Sequence, residues 1–322
     1  MTIAELQKEF LASGSWSIAP EDFFILLAHS LRKEKVFVIA HPEYVMERES
    51  ESCARTFFAE RAAGKPVALI TGHKAFYGRD FFVTKDTLIP RPETELLVEL
   101  ALSKAESRIP ARPAGGKNQE SRERKTLIAD IGTGSGNIII SLALELRKIT
   151  SRSGIEHSGF TFHATDISEQ AVSVAKKNAK QYGVADSIEF HIGDLLKPLS
   201  KELLATGEVI ITANLPYLSV NLYESAPKDV RLFEPKNALV SGKTGMDHYT
   251  RLLEDASNFF PRQSTLSIFL EISPEQSTHL KTIASLFFPG ALIRIHRDLA
   301  NKARILEIHR KKSNREANDA SV

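Results

Sequence analysis

The chain has 322 residues, enough for roughly two domains at about 150 residues each. Its 42 Lys and Arg nearly balance 40 Asp and Glu, for a net charge of +2. That balance excludes a mainly electrostatic binder of nucleic acid or membrane, though not a local basic patch. One cysteine, Cys53, excludes a disulfide framework and a cysteine-based zinc site and fits a reducing compartment.

No apolar run approaches the roughly 20 residues that a spanning helix needs. Residues 1–10 carry Glu5, Lys8 and Glu9 and lack the order of a signal peptide. A soluble, cytoplasmic protein is expected. The ten histidines show no metal-ligand spacing, so no metal is expected.

Residues 1–72 read as a small helical bundle. Leu6, Phe10 and Leu11 fall at helical spacing. Pro20, Glu21 and Asp22 open a second helix, with proline in the first turn and acids at the positive dipole end. A third segment covers about 47–63. Residues 72–83 read as a β-hairpin, with Phe76 and Tyr77 on one side of Gly78-Arg79-Asp80 and Phe81, Phe82 and Val83 on the other. Next comes Leu88-Ile89-Pro90-Arg91-Pro92-Glu93-Thr94-Glu95, which two prolines hold extended. Thr94 is placed to cap the helix carrying Leu96, Leu97, Leu100 and Ala101. Residues 107–125 are polar and rich in Pro, Gly, Arg and Lys, and predict a mobile loop.

Strands then alternate with helices. Strands are expected at 126–130, 160–165, 187–192, 209–213, 266–272, 291–294 and 304–308. A helix starts at Ser168 and stops at Gly183. The polar stretch 150–158 reads as a loop insertion, and the tail 311–322 as disordered. This alternation predicts an α/β fold with a mostly parallel sheet and helices on both faces.

Four strand ends carry chemistry. Asp130-Ile131-Gly132-Thr133-Gly134-Ser135-Gly136 follows the first strand. Its Gly-x-Gly-x-Gly spacing lets the backbone turn sharply and admits a ligand closely, yet differs from the dinucleotide fingerprint and has no phosphate-binding lysine. Gly242-Lys243-Thr244 is no phosphate loop, because Asn237 stands where the leading glycine belongs. Asp130 is placed to orient an ammonium group, directly or through water. Asp166 ends the next strand and suits two ribose hydroxyls. Asp194, with Leu195 beside it, suits an adenine amino group. Together these describe an adenosine pocket at the carboxyl edge of the sheet.

Asn214-Leu215-Pro216-Tyr217 ends the fourth strand. An amide or exocyclic amino nitrogen has a delocalised lone pair and is a poor nucleophile. The Asn214 side-chain carbonyl and the Leu215 main-chain carbonyl can accept its two N–H bonds, which fixes the nitrogen toward a methyl donor. Pro216 stiffens the turn and Tyr217 can pack on a flat substrate group.

These motifs resemble class I S-adenosylmethionine-dependent methyltransferases, with a Rossmann-like seven-stranded sheet. The Leu88-to-Glu95 segment, Thr71-Gly72, Phe76-Tyr77-Gly78, Glu234-Pro235, Gly245-Met246-Asp247 and Leu270-Glu271-Ile272 with Gln276 narrow the resemblance to the release factor glutamine methyltransferase family. It spans nearly the whole chain. It implies methylation of the side-chain amide of the glutamine in the Gly-Gly-Gln motif of peptide chain release factors. S-adenosyl-L-methionine is the implied cofactor. The implied cofactor residues are Asp130, Gly132, Thr133, Gly134, Ser135, Gly136, Asp166, Asp194, Leu195 and Asn214. The implied catalytic segment is Asn214, Leu215, Pro216 and Tyr217, with residues 90–94 bordering both pockets and the last strand antiparallel. The implied organisation is a docking bundle at 1–72, a hairpin and proline-rich linker at 73–94, and a methyltransferase domain at 95–310. A monomer without stable nucleic-acid binding is expected. The chain departs from the family pattern at Leu215, where proline is usual, and at Ser273 and Asn301, where glycine is usual. Asn-Leu-Pro-Tyr also resembles ribosomal RNA adenine dimethyltransferases, whose basic face and C-terminal helical domain this chain lacks. An inactive adaptor that kept the fold is disfavoured by the intact glycines, acids and Asn214.

Overall fold

The computed structural model describes residues 1–13, 18–109, 126–152, 159–199 and 207–312. Five helices begin the chain: α1 (Ile3–Ser13), α2 (Pro20–Leu31), α3 (Lys35–Ala40), α4 (Arg48–Ala62) and α5 (Val67–Thr71). They form a bundle because each supplies apolar residues to one cluster. Ile3, Leu6 and Phe10 meet Phe23, Leu26, Leu27, Val38, Ala54 and Phe58 there. The Phe23 and Phe58 rings stack at 5.0 Å. Leu11 is 66% exposed, so the buried stripe of α1 is narrower than the spacing suggested. Cys53 is half-buried on α4.

The hairpin strands are β1 (His73–Phe76) and β2 (Arg79–Phe82). The two-residue turn is Tyr77-Gly78, one position earlier than expected, and both residues have positive φ, 50° and 69°. That is the twist a tight hairpin needs. Phe76 and Phe81 are buried in the cluster that covers one face of the main sheet, so the hairpin packs on that sheet.

The chain continues through α6 (Glu95–Glu106), β3 (Thr126–Ile131), α7 (Asn137–Arg152), β4 (Phe160–Asp166), α8 (Glu169–Gln181), β5 (Ile188–Ile192) and β6 (Glu208–Ala213). It ends with α9 (Val220–Ser225), α10 (Lys228–Phe233), α11 (Asp247–Phe259), β7 (Thr265–Glu271), α12 (Ser277–Phe287), β8 (Leu292–Arg297) and β9 (Ala303–Arg310). All seven expected strands are present, and no strand end is shifted by more than three residues. They form one sheet in the order β5-β4-β3-β6-β7-β9-β8. β9, the last strand, runs antiparallel to both neighbours, and the remaining pairings are parallel.

Every residue of β3 is buried. A central parallel strand must be apolar on both faces. Leu127, Ala129 and Ile131 enter the cluster with Tyr249, Leu252 and Leu280 of α11 and α12. Ile128 enters the opposite cluster with α6 and α7. Two sequence expectations change here. Thr150 is no loop residue: it is buried in α7 and donates to the Leu146 carbonyl at 2.9 Å. Thr94 makes no side-chain cap for α6 and lies in a single 3-10 turn, Pro92–Thr94. Residues 110–125, 153–158 and 313–322, on which the loop and tail expectations mostly fall, lie outside the described residues.

Asn178 on α8 ties the hairpin to the sheet. Fully buried, it accepts from Phe82 N at 2.9 Å and donates to the Phe82 and Ser135 carbonyls at 2.9 and 2.8 Å. Replacement by alanine strands three backbone groups. Asn178→Ala is expected to lower the unfolding free energy by about 3 kcal/mol in urea titrations, and a loss under about 1 kcal/mol contradicts this role.

Candidate active site

β3, β4 and β6 pair so that Ile131 lies opposite Thr165 on one side and Ala213 on the other. The next residue on each strand is therefore a site residue: Gly132, Asp166 or Asn214. Around this edge lies a cleft of about 970 Å³, open to solvent. Gly132, Gly134, Asp166, Asp194, Asn214 and Pro216 line it.

The glycine turn is held from behind. Gly132 N and Thr133 N donate to the Thr165 carbonyl at 2.8 and 2.9 Å. Gly134 N donates to Asp166 Oδ2 at 2.9 Å, and Ser168 N to Asp166 Oδ1 at 2.9 Å. Gly132 adopts φ +72°, and a Cβ there would stand 2.8 Å from Leu215 Cδ2. Gly136 adopts φ +78°, with Ile140 at 2.9 Å from its Cβ position. Both positions therefore require glycine. Thr133 and Ser135 line the cleft, but their side chains turn inward, to Asp130 at 2.7 Å and Asn137 at 3.1 Å.

Asp130 lies behind the turn. It is fully buried and is not among the cleft-lining residues. Its two oxygens accept from Thr133 Oγ1 at 2.7 Å and Thr212 Oγ1 at 2.8 Å. Burial pushes its carboxyl up to about 6, against the pull of those two hydroxyls. Asp130 braces the turn from inside the sheet.

Asp166 faces the cleft while binding the turn, and burial raises its carboxyl. Asp194 is held by Lys197 at 2.8 Å and by Arg251, both on Oδ2. Lys197 and Arg251 keep its carboxyl below the usual carboxylate range. Leu195 follows in the left-handed region at φ 51°, lines the cleft, and takes the Thr165 hydroxyl on its carbonyl at 2.9 Å.

Asn214 carries an unusual atom. Its Nδ2 donates to Thr94 Oγ1 at 3.2 Å, while its Oδ1 is buried with no hydrogen-bond partner. A buried acceptor without a donor costs free energy unless a ligand satisfies it. Leu215 lines the cleft, and its carbonyl accepts from the Tyr249 hydroxyl at 3.1 Å. The same hydroxyl contacts the Glu271 main-chain carbonyl, so its single hydrogen serves one acceptor at a time. Tyr217, expected against the substrate, is not among the cleft-lining residues. Its ring packs on the core beneath the site, and burial pushes its hydroxyl up to about 12.

The proline-rich segment forms a wall of the cleft through Leu88, Pro90, Arg91 and Thr94. Buried Glu234 anchors it, accepting from Ile89 N at 3.1 Å and pairing with Arg91. Thr94 lines the cleft, at the end of the segment expected to border it, and Asn237 and His248 line it without having been assigned to it from sequence. The family departures are accommodated locally. Ser273 sits at φ −73° in a capping box with Gln276, a conformation open to any residue. Asn301 takes φ 60°, the left-handed region that asparagine tolerates.

The residue set fits S-adenosylmethionine. Gly134 has open space where a Cβ would stand, Asp166 offers a carboxylate at a strand end, and Asp194 offers a second at the next. Among the described residues one group of three metal-competent side chains meets: His163, Glu189 and His191, across β4 and β5. Residue spacing did not single it out, because strand pairing makes it. His163 Nδ1 and His191 Nε2 lie 3.2 Å apart and hydrogen-bond to each other.

Comparisons with known proteins agree with this geometry. The PrmC N-terminal domain family matches residues 5–72, and the methyltransferase domain family matches residues 122–256. A release factor glutamine methyltransferase of Bacillus anthracis is 32% identical over 284 residues, 88% of this chain and 89% of its own. The protein so named in Rhodopirellula baltica is 32% identical over 310 residues, 96% of each chain. In fold, the human METTL16 catalytic domain, solved with an RNA hairpin, matches with a TM-score of 0.51 at 16% identity. That match covers 78% of this chain and 81% of the other. Two relatives this similar along nearly their full length, with a methyltransferase sheet and a glycine turn shaped for the cofactor, settle the assignment: the chain belongs to the release factor glutamine methyltransferase family and is an S-adenosylmethionine-dependent enzyme.

Proposed function

We propose that the chain methylates the side-chain amide nitrogen of the glutamine in the Gly-Gly-Gln motif of peptide chain release factors, and so supports translation termination. The observation that carries this reading is the unpartnered, buried Oδ1 of Asn214 at the edge of the cleft. It is an acceptor waiting for an N–H, and a primary amide brings two.

Bound S-adenosylmethionine supplies an electrophilic methyl group on a positively charged sulfur. The chain's own residues do the rest. Gly132, Gly134 and Gly136 let the backbone approach the cofactor, Asp166 accepts from ribose hydroxyls, and Asp194 accepts from the adenine amino group through Oδ1. Asn214 Oδ1 accepts one N–H of the glutamine amide and the Leu215 carbonyl accepts the other through its free lone pair. Two acceptors in fixed positions turn the nitrogen lone pair out of conjugation and toward the methyl group. Leu215 supplies the same carbonyl as the usual proline. Its side chain contacts Gly132 and the core, which holds the turn in place of a proline ring. Pro216 fixes its own φ and restricts Leu215 before it, and Tyr217 supports the turn from the core side. The nitrogen gives its proton to water after transfer. A cytoplasmic location follows from a substrate used in translation, and no helix among the described residues is long and apolar enough to cross a membrane.

The bundle is the docking module in this reading. It has a core of its own, and Ala68 and Leu69 of α5 pack with Val83 and Ile89 under the cleft wall. Removal of residues 1–65, which spares α5, is expected to weaken release-factor binding at least tenfold, about 1.4 kcal/mol, and to leave cofactor affinity within about twofold. Equal release-factor affinity in calorimetry contradicts the docking role.

Asn214→Ala is the sharper test. It is expected to abolish nearly all methyl transfer while leaving the cofactor dissociation constant within about tenfold, or ~1.4 kcal/mol. Near-normal turnover in that variant overturns the mechanism.

A further inference from the structure

Three side chains outside the cleft face one another across two strands. β5 is an edge strand of the sheet and pairs only with β4. In that pairing His163 stands opposite Glu189. His191 lies two residues further along β5, on the same face as Glu189. His163 Nδ1 is 3.2 Å from His191 Nε2 and 3.6 Å from Glu189 Oε2. His191 Nε2 and Glu189 Oε2 are 3.9 Å apart. Only the first of these separations is a hydrogen bond, and the carboxylate stands too far from either ring for one. Three donor atoms therefore converge on a point that hydrogen bonding does not explain.

We propose that His163, His191 and Glu189 form a binding site for zinc or another late first-row divalent cation, which staples the edge strand β5 to β4. A triangle with those three sides has its centre about 2.1 Å from each corner, the length of a zinc bond to an imidazole nitrogen or a carboxylate oxygen. Two imidazoles and a carboxylate also select the class of ion. They suit zinc and its neighbours, whereas magnesium and calcium take oxygen ligands. One ring donates its hydrogen to the other here. The donor ring needs only its other tautomer for both nitrogens to offer lone pairs.

Burial gives each ligand a part. The His163 side chain is 2% exposed, that of His191 24% and that of Glu189 72%. The buried imidazole is held in place and stays uncharged, the form that binds a metal. Glu189 lies on the solvent side, where an ion enters and where water completes its coordination. Its carboxylate offsets part of the ion's charge. Among the described residues it pairs with these two histidines and with no Lys or Arg.

The site lies just before the cofactor edge. Asp166 is three residues beyond His163, and Asp194 three beyond His191. The strand ends are already tied there. Gly193 N donates to the Asp166 carbonyl at 2.9 Å, and the Thr165 hydroxyl to the Leu195 carbonyl at 2.9 Å. A bound ion adds a side-chain link behind those ties, on the two strands that carry both acids.

The test titrates zinc chloride into the full chain, free of any affinity tag and stripped with a chelator, in a calorimeter. One equivalent is expected to bind with a dissociation constant of about 1 µM or tighter. Glu189→Gln is expected to bind at least tenfold more weakly, and His191→Ala to lose the equivalent. Both positions are at least partly open to solvent, so each variant is expected to melt within about 2 °C of wild type in chelator. Zinc at about a hundredfold excess over its dissociation constant is expected to raise the wild-type Tm by at least about 2 °C and to leave that of His191→Ala unmoved. Magnesium chloride is expected to bind neither protein. Wild type that takes up no equivalent tighter than about 100 µM overturns the proposal. So does an isotherm unchanged in His191→Ala, which marks adventitious binding to other histidines, and so does a wild-type Tm that zinc does not raise.

Discussion

The site depends on one register. β3 lies between β4 and β6, and the three strands end level, with Ile131 opposite both Thr165 and Ala213. Gly132, Asp166 and Asn214 are simply the next residues. Parallel strands buried on both faces hold such a register firmly, because a slip of one residue exchanges every side chain between the two apolar clusters. β3 is buried throughout, so the slip has nowhere favourable to go. Main-chain bonds then convert strand ends into a site. The Thr165 carbonyl takes two amides of the glycine turn, and the Asp166 side chain takes a third.

Buried acids differ around this edge. Asp130 is satisfied by two threonine hydroxyls and stabilises the turn from within. Glu271, at the end of β7, is as deeply buried, and its Oε2 has no hydrogen-bond partner. Both carboxyls are raised by burial, so the folded state binds their protons more tightly than the unfolded chain does. Between the ordinary carboxylate range and about 7, that contribution to stability declines as pH rises. Glu234 is a third buried acid. It holds the cleft wall at Ile89 and Arg91, across 145 and 143 positions of sequence.

The sequence made the local motifs legible and left their partners hidden. The Gly-x-Gly-x-Gly turn follows from steric rules at single residues, and the structure bears out the need for glycine at 132 and 136. The central strands β3, β6 and β7 were readable because buried parallel strands are continuous apolar runs. Thr94 was misread for a physical reason. A threonine before an apolar helix caps it by local rules, but here its hydroxyl accepts from Asn214, 120 residues away. The settings of Asp130 and Tyr217 were hidden similarly. A motif names the residue type at a strand end without saying whether the side chain points into the cleft or the core, and both turn to the core side. The hairpin turn fell one residue early because Tyr77 accepts a positive φ that pattern reading reserves for glycine. His163, Glu189 and His191 meet only through strand pairing, which residue spacing cannot display.

The central claim is that Asn214 and Leu215 present carbonyl acceptors to a glutamine amide. The most direct measurement is methyl transfer from labelled S-adenosylmethionine to a purified release factor carrying Gln or Ala in its Gly-Gly-Gln motif, beside unmodified ribosomal RNA. Label on the glutamine protein alone is expected. Label on the RNA alone, or equal label on the alanine variant, would contradict it.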